Sequence, residues 1–263
     1  MTDLIFDVHA PLAPANGKTV LLSSGLGGAA GFWKPQLEAL LQAGYRAIAY
    51  DQRGTGRSPR ALPQPYSIAH MAADVLEILD ATQTERCHFA GHALGGLVGL
   101  QLALDAPQRV ASLVLVNAWA SPNVHSARCF AARLALLDAC GVQAYVEAQP
   151  IFLYPADWAE AHHEQVQAEV AHAAAHFPGE ANMRARIAAL QAFDVEEHLG
   201  AIAAPVLLMA AADDVLVPWT RSQRLQQRLP HAELDVVPHG GHAHSVTGPQ
   251  AFNARLLQFL DRQ

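Results

Sequence analysis

His88-Phe89-Ala90-Gly91-His92-Ala93-Leu94-Gly95-Gly96 carries the chain from a short buried strand into a glycine-dense turn and on into an apolar helical segment, Leu97–Leu104. Glycines at 91, 95 and 96 mark points where a sharp strand-to-helix turn leaves no room for side chains. The spacing is that of a G-x-S-x-G turn, with Ala93 in the serine slot. A phosphate-binding loop is the competing reading of such a turn, but neither G-K-[ST] nor G-x-G-x-x-G is present.

Outward from this turn the chain alternates strand and helix. Thr19–Ser23 is a short apolar run ending in glycines. Phe32–Gln42 has helical periodicity, Tyr45–Tyr50 reads as a strand and Ile68–Leu79 as an amphipathic helix. Ser112–Val116 is the next strand. Few polar residues interrupt the strands, so the pattern implies an α/β fold whose mostly parallel central sheet is covered by helices on both faces. From about Ser121 to Leu199 only helical patterns occur, rich in Ala, His, Glu and Gln. Strands resume at Val206–Met209 and Glu233–Val237, with helices from Thr220 and over Pro249–Leu260. We therefore expect one domain, with a core of 1–120 and 200–263 and a helical cap of 121–199. A separate second domain is the alternative, disfavoured because the C-terminal strands are too few to fold alone.

The 263 residues are 51% apolar and 16% charged, with formal net charge −7. These values describe an ordinary globular chain with enough apolar residues for a sizeable core. Without a Lys/Arg cluster, a nucleic-acid or anionic-membrane partner is not expected. The opening MTDLIFDVHAPLAPANG lacks the basic start and apolar run of a signal peptide. The nearly uncharged run Phe89–Leu104 is too short and glycine-rich to span a bilayer. Cys87, Cys129 and Cys140 form no disulfide framework and read as reduced, packed thiols, which suits a cytoplasmic protein.

Three further segments resemble those of the α/β-hydrolase fold. Asp51-Gln52-Arg53-Gly54-Thr55-Gly56-Arg57-Ser58 matches a D-x-R-G-x-G-x-S loop whose role there is structural. Ser23-Ser24-Gly25-Leu26-Gly27-Gly28 lies where that fold places an oxyanion-hole loop, so the N–H groups of Leu26 and Leu94 are the expected donors. Ser24 either faces substrate or caps this loop. At the C-terminal end, Asp213-Asp214-Val215-Leu216-Val217-Pro218 and Gly240-Gly241-His242 each follow a strand, in the chain order the fold requires. The family places its acid four residues before the proline, which selects Asp214. His242 is then the base and Asp214 the group that fixes its tautomer. His239, His242 and His244 also suggest a metal set, but alternate loop residues without a carboxylate motif are a weak one, and no metal is expected.

Base and orienting acid are thus present without a nucleophile, because alanine cannot attack. What remains is a water activated by His242 beside an anion-stabilising turn. The resemblance then becomes closer than the fold. Val146–Trp158 (VEAQPIFLYPADW), Tyr66-Ser67-Ile68-Ala69, Arg128-Cys129-Phe130 and the alanine turn are similar to the RutD hydrolases of the Rut pyrimidine-utilisation pathway. The resemblance implies hydrolysis of carbamate or 3-aminoacrylate with release of ammonia late in uracil breakdown. We expect no cofactor, a small-molecule substrate, and a monomer or homodimer. A lyase or cofactor-free oxygenase using the same His–Asp base is the alternative chemistry, and a non-catalytic binding protein is a further one. Ser24, Asn117, Trp119, His125, Arg128, Tyr154 and Trp158 are the candidate pocket residues. Arg128 is either the partner of a substrate carboxylate, to which a guanidinium is suited, or a structural or exposed arginine.

Overall fold

The computed structural model describes residues 2–263. Seven strands form one sheet: β1 (Phe6–His9), β2 (Thr19–Ser23), β3 (Arg46–Tyr50), β4 (Cys87–His92), β5 (Val110–Val116), β6 (Val206–Ala211) and β7 (Ala232–Val237). Their order is β1-β3-β2-β4-β5-β6-β7. Only β1 runs antiparallel, pairing Phe6 with Tyr50 and His9 with Ala47. The other pairs are parallel.

Side-chain alternation sends the strands into two apolar layers. Leu21, Ile48, Phe89, Leu113 and Leu208 face the layer that includes α2 (Ile68–Ala81) and α3 (Leu94–Asp105). Val20, Leu22, Ala90, Val114 and Leu207 face the layer of α1 (Lys34–Gln42) and α11 (Pro249–Leu260). The chain order reverses between β2 and β4. In an open parallel sheet, the crevice beyond the carboxyl ends of such neighbours is where ligands bind. Here that crevice is bounded by the Ser23–Gly28 loop and by the Gly91–Gly96 turn.

Five helices lie between β5 and β6: α4 (Val124–Glu147), α5 (Gln149–Leu153), α6 (Ala156–Ala161), α7 (His163–Ala175) and α8 (Glu180–Ala192). By length and composition α4 could cross a membrane, but it breaks at Gly141 (φ 80°). Its Ser126, Phe130, Arg133 and Leu137 are buried, a stripe at helical spacing that packs inward. The five helices are hydrogen-bonded to the sheet-bearing part at several separate points. Ser126 Oγ donates to the Leu216 carbonyl (2.8 Å), and Asn182 Nδ2 to that of Arg60 (2.8 Å). The Leu153 carbonyl accepts from Ala243 N–H (2.9 Å). After β6 come α9 (Thr220–Arg228), β7 and α10 (His244–Thr247).

Candidate active site

Ala93 leaves β4 at φ 47°, ψ −110°, a region costly for a residue with a β-carbon. Ala93 N–H donates to the Val116 carbonyl, and the Ala93 carbonyl accepts from Gly96 N–H, both at 2.8 Å. These bonds hold the strained turn. Glycine is required on either side of it. A β-carbon on Gly91 would sit 2.3 Å from the Gly95 carbonyl oxygen, and one on Gly95 would sit 2.2 Å from that of Ser23. This second approach brings the start of α3 against the loop after β2. Among the described residues, neither Leu94 N–H nor Leu26 N–H donates to another group. Leu94 also opens α3, where the helix dipole favours negative charge.

Asp214 Oδ2 lies 2.7 Å from His242 Nδ1, with the Asp214 side chain wholly buried and His242 3% exposed. The other carboxylate oxygen accepts from the N–H groups of Leu216 (2.7 Å) and Val217 (2.9 Å). Asp213 does different work. It accepts from Gly240 N–H (3.1 Å) and Gly241 N–H (2.9 Å), and it contacts His239 Nδ1 (2.8 Å). One aspartate therefore orients the imidazole while its neighbour shapes the loop that carries it.

Two more groups hold that loop from below. Both His92 Nε2–H (2.8 Å) and Asn117 Nδ2–H (2.6 Å) donate to the His242 carbonyl. Burial and the adjacent His242 push the His92 imidazole far below its ordinary value, and burial takes His244 down to about 4. Both are neutral at pH 7, so neither competes for the Asp214 carboxylate. His239, His242 and His244 turn to different partners. Among the thiols, burial, and then the Asp214 carboxylate, push Cys129 up. Cys87, the first residue of β4, is buried and raised to about 12, while Cys140, expected to be packed, is exposed.

The loop after β2 is braced by a group the sequence did not single out. Arg186 of α8 is wholly buried, and its Nη2–H (3.1 Å) and Nε–H (3.2 Å) both donate to the Leu26 carbonyl. It also donates to Gln52 Oε1 and to the Arg53 carbonyl. Ser24 caps this loop: its hydroxyl donates to the Ala29 carbonyl (2.7 Å) and the residue is 1% exposed. Asp51 collects Ala30 N–H (2.8 Å) and Arg57 N–H (3.0 Å), which makes the D-x-R-G segment a loop scaffold.

Residues 18–139 match the family described as the alpha/beta hydrolase fold. A solved hydrolase from Pseudomonas aeruginosa PA01 superposes with TM-score 0.86 at 31% identity, over 98% of this chain and 94% of that one. The enol-lactonase of Burkholderia xenovorans LB400 (TM-score 0.87, 24% identity, 98% and 96% covered) shares the fold. A protein of Variovorax paradoxus (strain S110), provisionally named carbamate hydrolase RutD, is 69% identical over 98% of this chain and 96% of its own. The chain belongs to the RutD family. Its counterpart in Stutzerimonas stutzeri (strain A1501), under the same provisional name, is 55% identical over 98% of this chain and 97% of that one.

In this RutD-family chain the expected pocket residues divide. Asn117 is buried at the end of β5 and holds the His242 loop through its amide. Trp119 is buried in the apolar layer beneath the helices. His125 Nε2–H donates to the Val215 carbonyl (2.7 Å), clipping α4 to the acid loop. Arg128 is exposed and forms no hydrogen bond or ion pair among the described residues. At about 100° per residue it lies roughly opposite Ser126 and Phe130, so it faces away from the inward stripe. Tyr154 packs on Trp158 (4.7 Å) and donates to Glu169 Oε2 (2.6 Å). Tyr154 borders an outer groove of about 850 Å³ shared with Asp213 and His239, whose lining includes neither Ala93 nor His242. The signal that finds the missed Arg186 is its place in an apolar stripe, between Met183 and Leu190.

Proposed function

We propose that this chain hydrolyses a small nitrogen-bearing acid, carbamate or 3-aminoacrylate, in pyrimidine breakdown inside the cell, without a covalent intermediate. The observation that carries the reading is Ala93 at the strained turn beside the intact, buried His242–Asp214 pair. A hydrolase turn with a methyl group in its centre has no acyl acceptor, so water must attack. His242 Nε2 takes a proton from that water, and Asp214 stabilises the imidazolium through Nδ1. With carbamate, hydroxide adds to the carboxyl carbon and negative charge grows on oxygen. Leu26 N–H and Leu94 N–H are the groups that meet it. Breakage of the C–N bond, with the proton returned from His242, releases ammonia and bicarbonate. With 3-aminoacrylate, water adds at the carbon bearing nitrogen, giving ammonia and malonic semialdehyde. The reaction as drawn calls for no cofactor.

Helices α4 to α8 act as a cap in this reading. They bring Arg186 to the Leu26 loop and Leu153 to the His242 loop, and they keep bulk water from the reacting position. The relatives' shared name supports carbamate chemistry and does not favour the lyase or oxygenase reading. The test is ammonia release from freshly generated carbamate and from freshly generated 3-aminoacrylate, with the spontaneous rate subtracted. The proposal expects protein-dependent release from at least one of them and fails if neither exceeds background.

A further inference from the structure

Arg133 lies on the inward stripe of α4 and is 5% exposed. Its guanidinium is framed by aromatic rings, 4.8 Å from Tyr145, 5.7 Å from Phe152 and 5.8 Å from Phe130. One hydrogen bond is made, from Nη2–H to Tyr145 Oη at 2.9 Å. Nε–H is buried without a partner. The ionisable groups that reach it are Tyr145 and Cys129, neither of them an aspartate or glutamate. The half-buried Arg53 and the buried Arg186 differ. Arg53 lies against Asp74 (2.9 Å), and Arg186 spends its donors on carbonyl groups. A guanidinium stays charged in proteins, and a buried charge without a counter-ion is costly. An apolar side chain of similar length would be as stable or more so at such a place.

The position of this unspent charge is informative. Two turns and one turn earlier on the same side of α4, Ser126 Oγ and Cys129 Sγ meet the Leu216 and Val215 carbonyls, beside Asp214. Phe152, across the guanidinium, directly precedes Leu153, whose carbonyl holds Ala243 N–H next to His242. Arg133 therefore sits at the junction of the helical block with both loops that carry the acid and the base. We infer that Arg133 is the substrate-binding cation of this site, receiving the carboxylate of a small planar anion through its unspent N–H donors. The inference rests on the hydrolase reading above and deepens it. The site would select anions such as carbamate or 3-aminoacrylate over neutral amides and esters of the same size, because only an anion compensates the buried charge.

The experiment measures the rise in Tm caused by propionate and by propionamide at equal concentration, in the wild type, Arg133→Met and Arg133→Lys. Propionate should stabilise the wild type and propionamide should not. In Arg133→Met the propionate effect should vanish while the ligand-free Tm holds or rises, which a purely structural arginine would not allow. If that variant fails to fold, Arg133→Lys decides: it should bind propionate about tenfold more weakly or worse. Equal stabilisation of the wild type and Arg133→Met by propionate, undiminished binding in Arg133→Lys, or no propionate effect on the wild type would each overturn the assignment. Absence of ammonia release with Arg133-dependent propionate binding intact would instead remove the hydrolase reading and leave the anion site standing.

Discussion

Asp214 touches His242 with one oxygen and the N–H groups of Leu216 and Val217 with the other, while Asp213 binds the backbone of Gly240 and Gly241. The two adjacent carboxylates thus divide orientation of the His242 imidazole from construction of its loop. Asp214→Asn should lower protein-dependent turnover by about 10²–10⁴, since the amide no longer fixes the tautomer. Asp213→Asn should cost about 1–3 kcal/mol of stability and a smaller share of the rate. Kinetics and urea denaturation of both variants check this. Equal rate losses with unchanged stability in the Asp213 variant would refute the division.

Ala93 invites a gain of chemistry. A serine there would place a hydroxyl at the strained turn, next to Leu94 N–H and the His242–Asp214 pair. Wild-type protein should resist a fluorophosphonate probe, whereas Ala93→Ser should become labelled and lose native turnover as the hydroxyl takes the place of the attacking water. Mass spectrometry reads both. Stoichiometric labelling of the wild type would reveal a nucleophile outside the Ala93 slot and sink the water-attack mechanism.

One substitution at two buried arginines should give opposite results. Arg186→Met strips donors from the Leu26, Arg53 and Gln52 oxygens and should cost about 1–3 kcal/mol. It should also speed amide exchange across residues 25–28. Arg133→Met removes a charge with one neutral partner and should leave stability unchanged or higher. Denaturation curves measured side by side suffice, and a large loss in the Arg133 variant with none in the Arg186 variant would reverse the two roles.

Stability should fall on mild acidification. Burial lowers His88 and His244 to about 4 and also holds His92 well below the ordinary value near 6.5. The unfolded chain takes up protons through 6.5 while the folded chain does not. The contribution is therefore fully present above 6.5 and is lost as pH falls toward 4. Three such groups give a slope of up to about 4 kcal/mol per pH unit. His88, whose Nδ1 meets Ser112 Oγ (2.8 Å), can be changed without touching the candidate site. His88→Asn should remove about one proton from the slope. Urea midpoints that stay flat between pH 7 and 5 would contradict this.

The Gly91–Gly96 turn and the Asp214–His242 pairing are legible because each lies just past a strand and carries local marks, namely glycines at 91, 95, 240 and 241 and the proline at 218. Helix α11 starts and stops where the periodicity and Pro249 place it. Strand β1 left little pattern: its four residues are an edge strand, only partly buried. Helix α3 begins at Leu94, before the expected Leu97, because the turn geometry overrides the poor helix propensity of Gly95 and Gly96. The pocket candidates rest on residue type, and type does not tell which side of a helix faces inward. That is why Arg128 is a candidate by type, with its exposed reading left open, although Arg133, five residues on, occupies the inward stripe. Asn117 and His92 act through a backbone carbonyl supplied from far along the chain, a contact that no local pattern announces.

The most direct test of water attack driven by His242 is ammonia release above the spontaneous rate, from carbamate and from 3-aminoacrylate, compared between the wild type and a folded His242→Ala variant. The mechanism predicts a wild-type excess that disappears in the variant. An excess retained in full without His242 would contradict it.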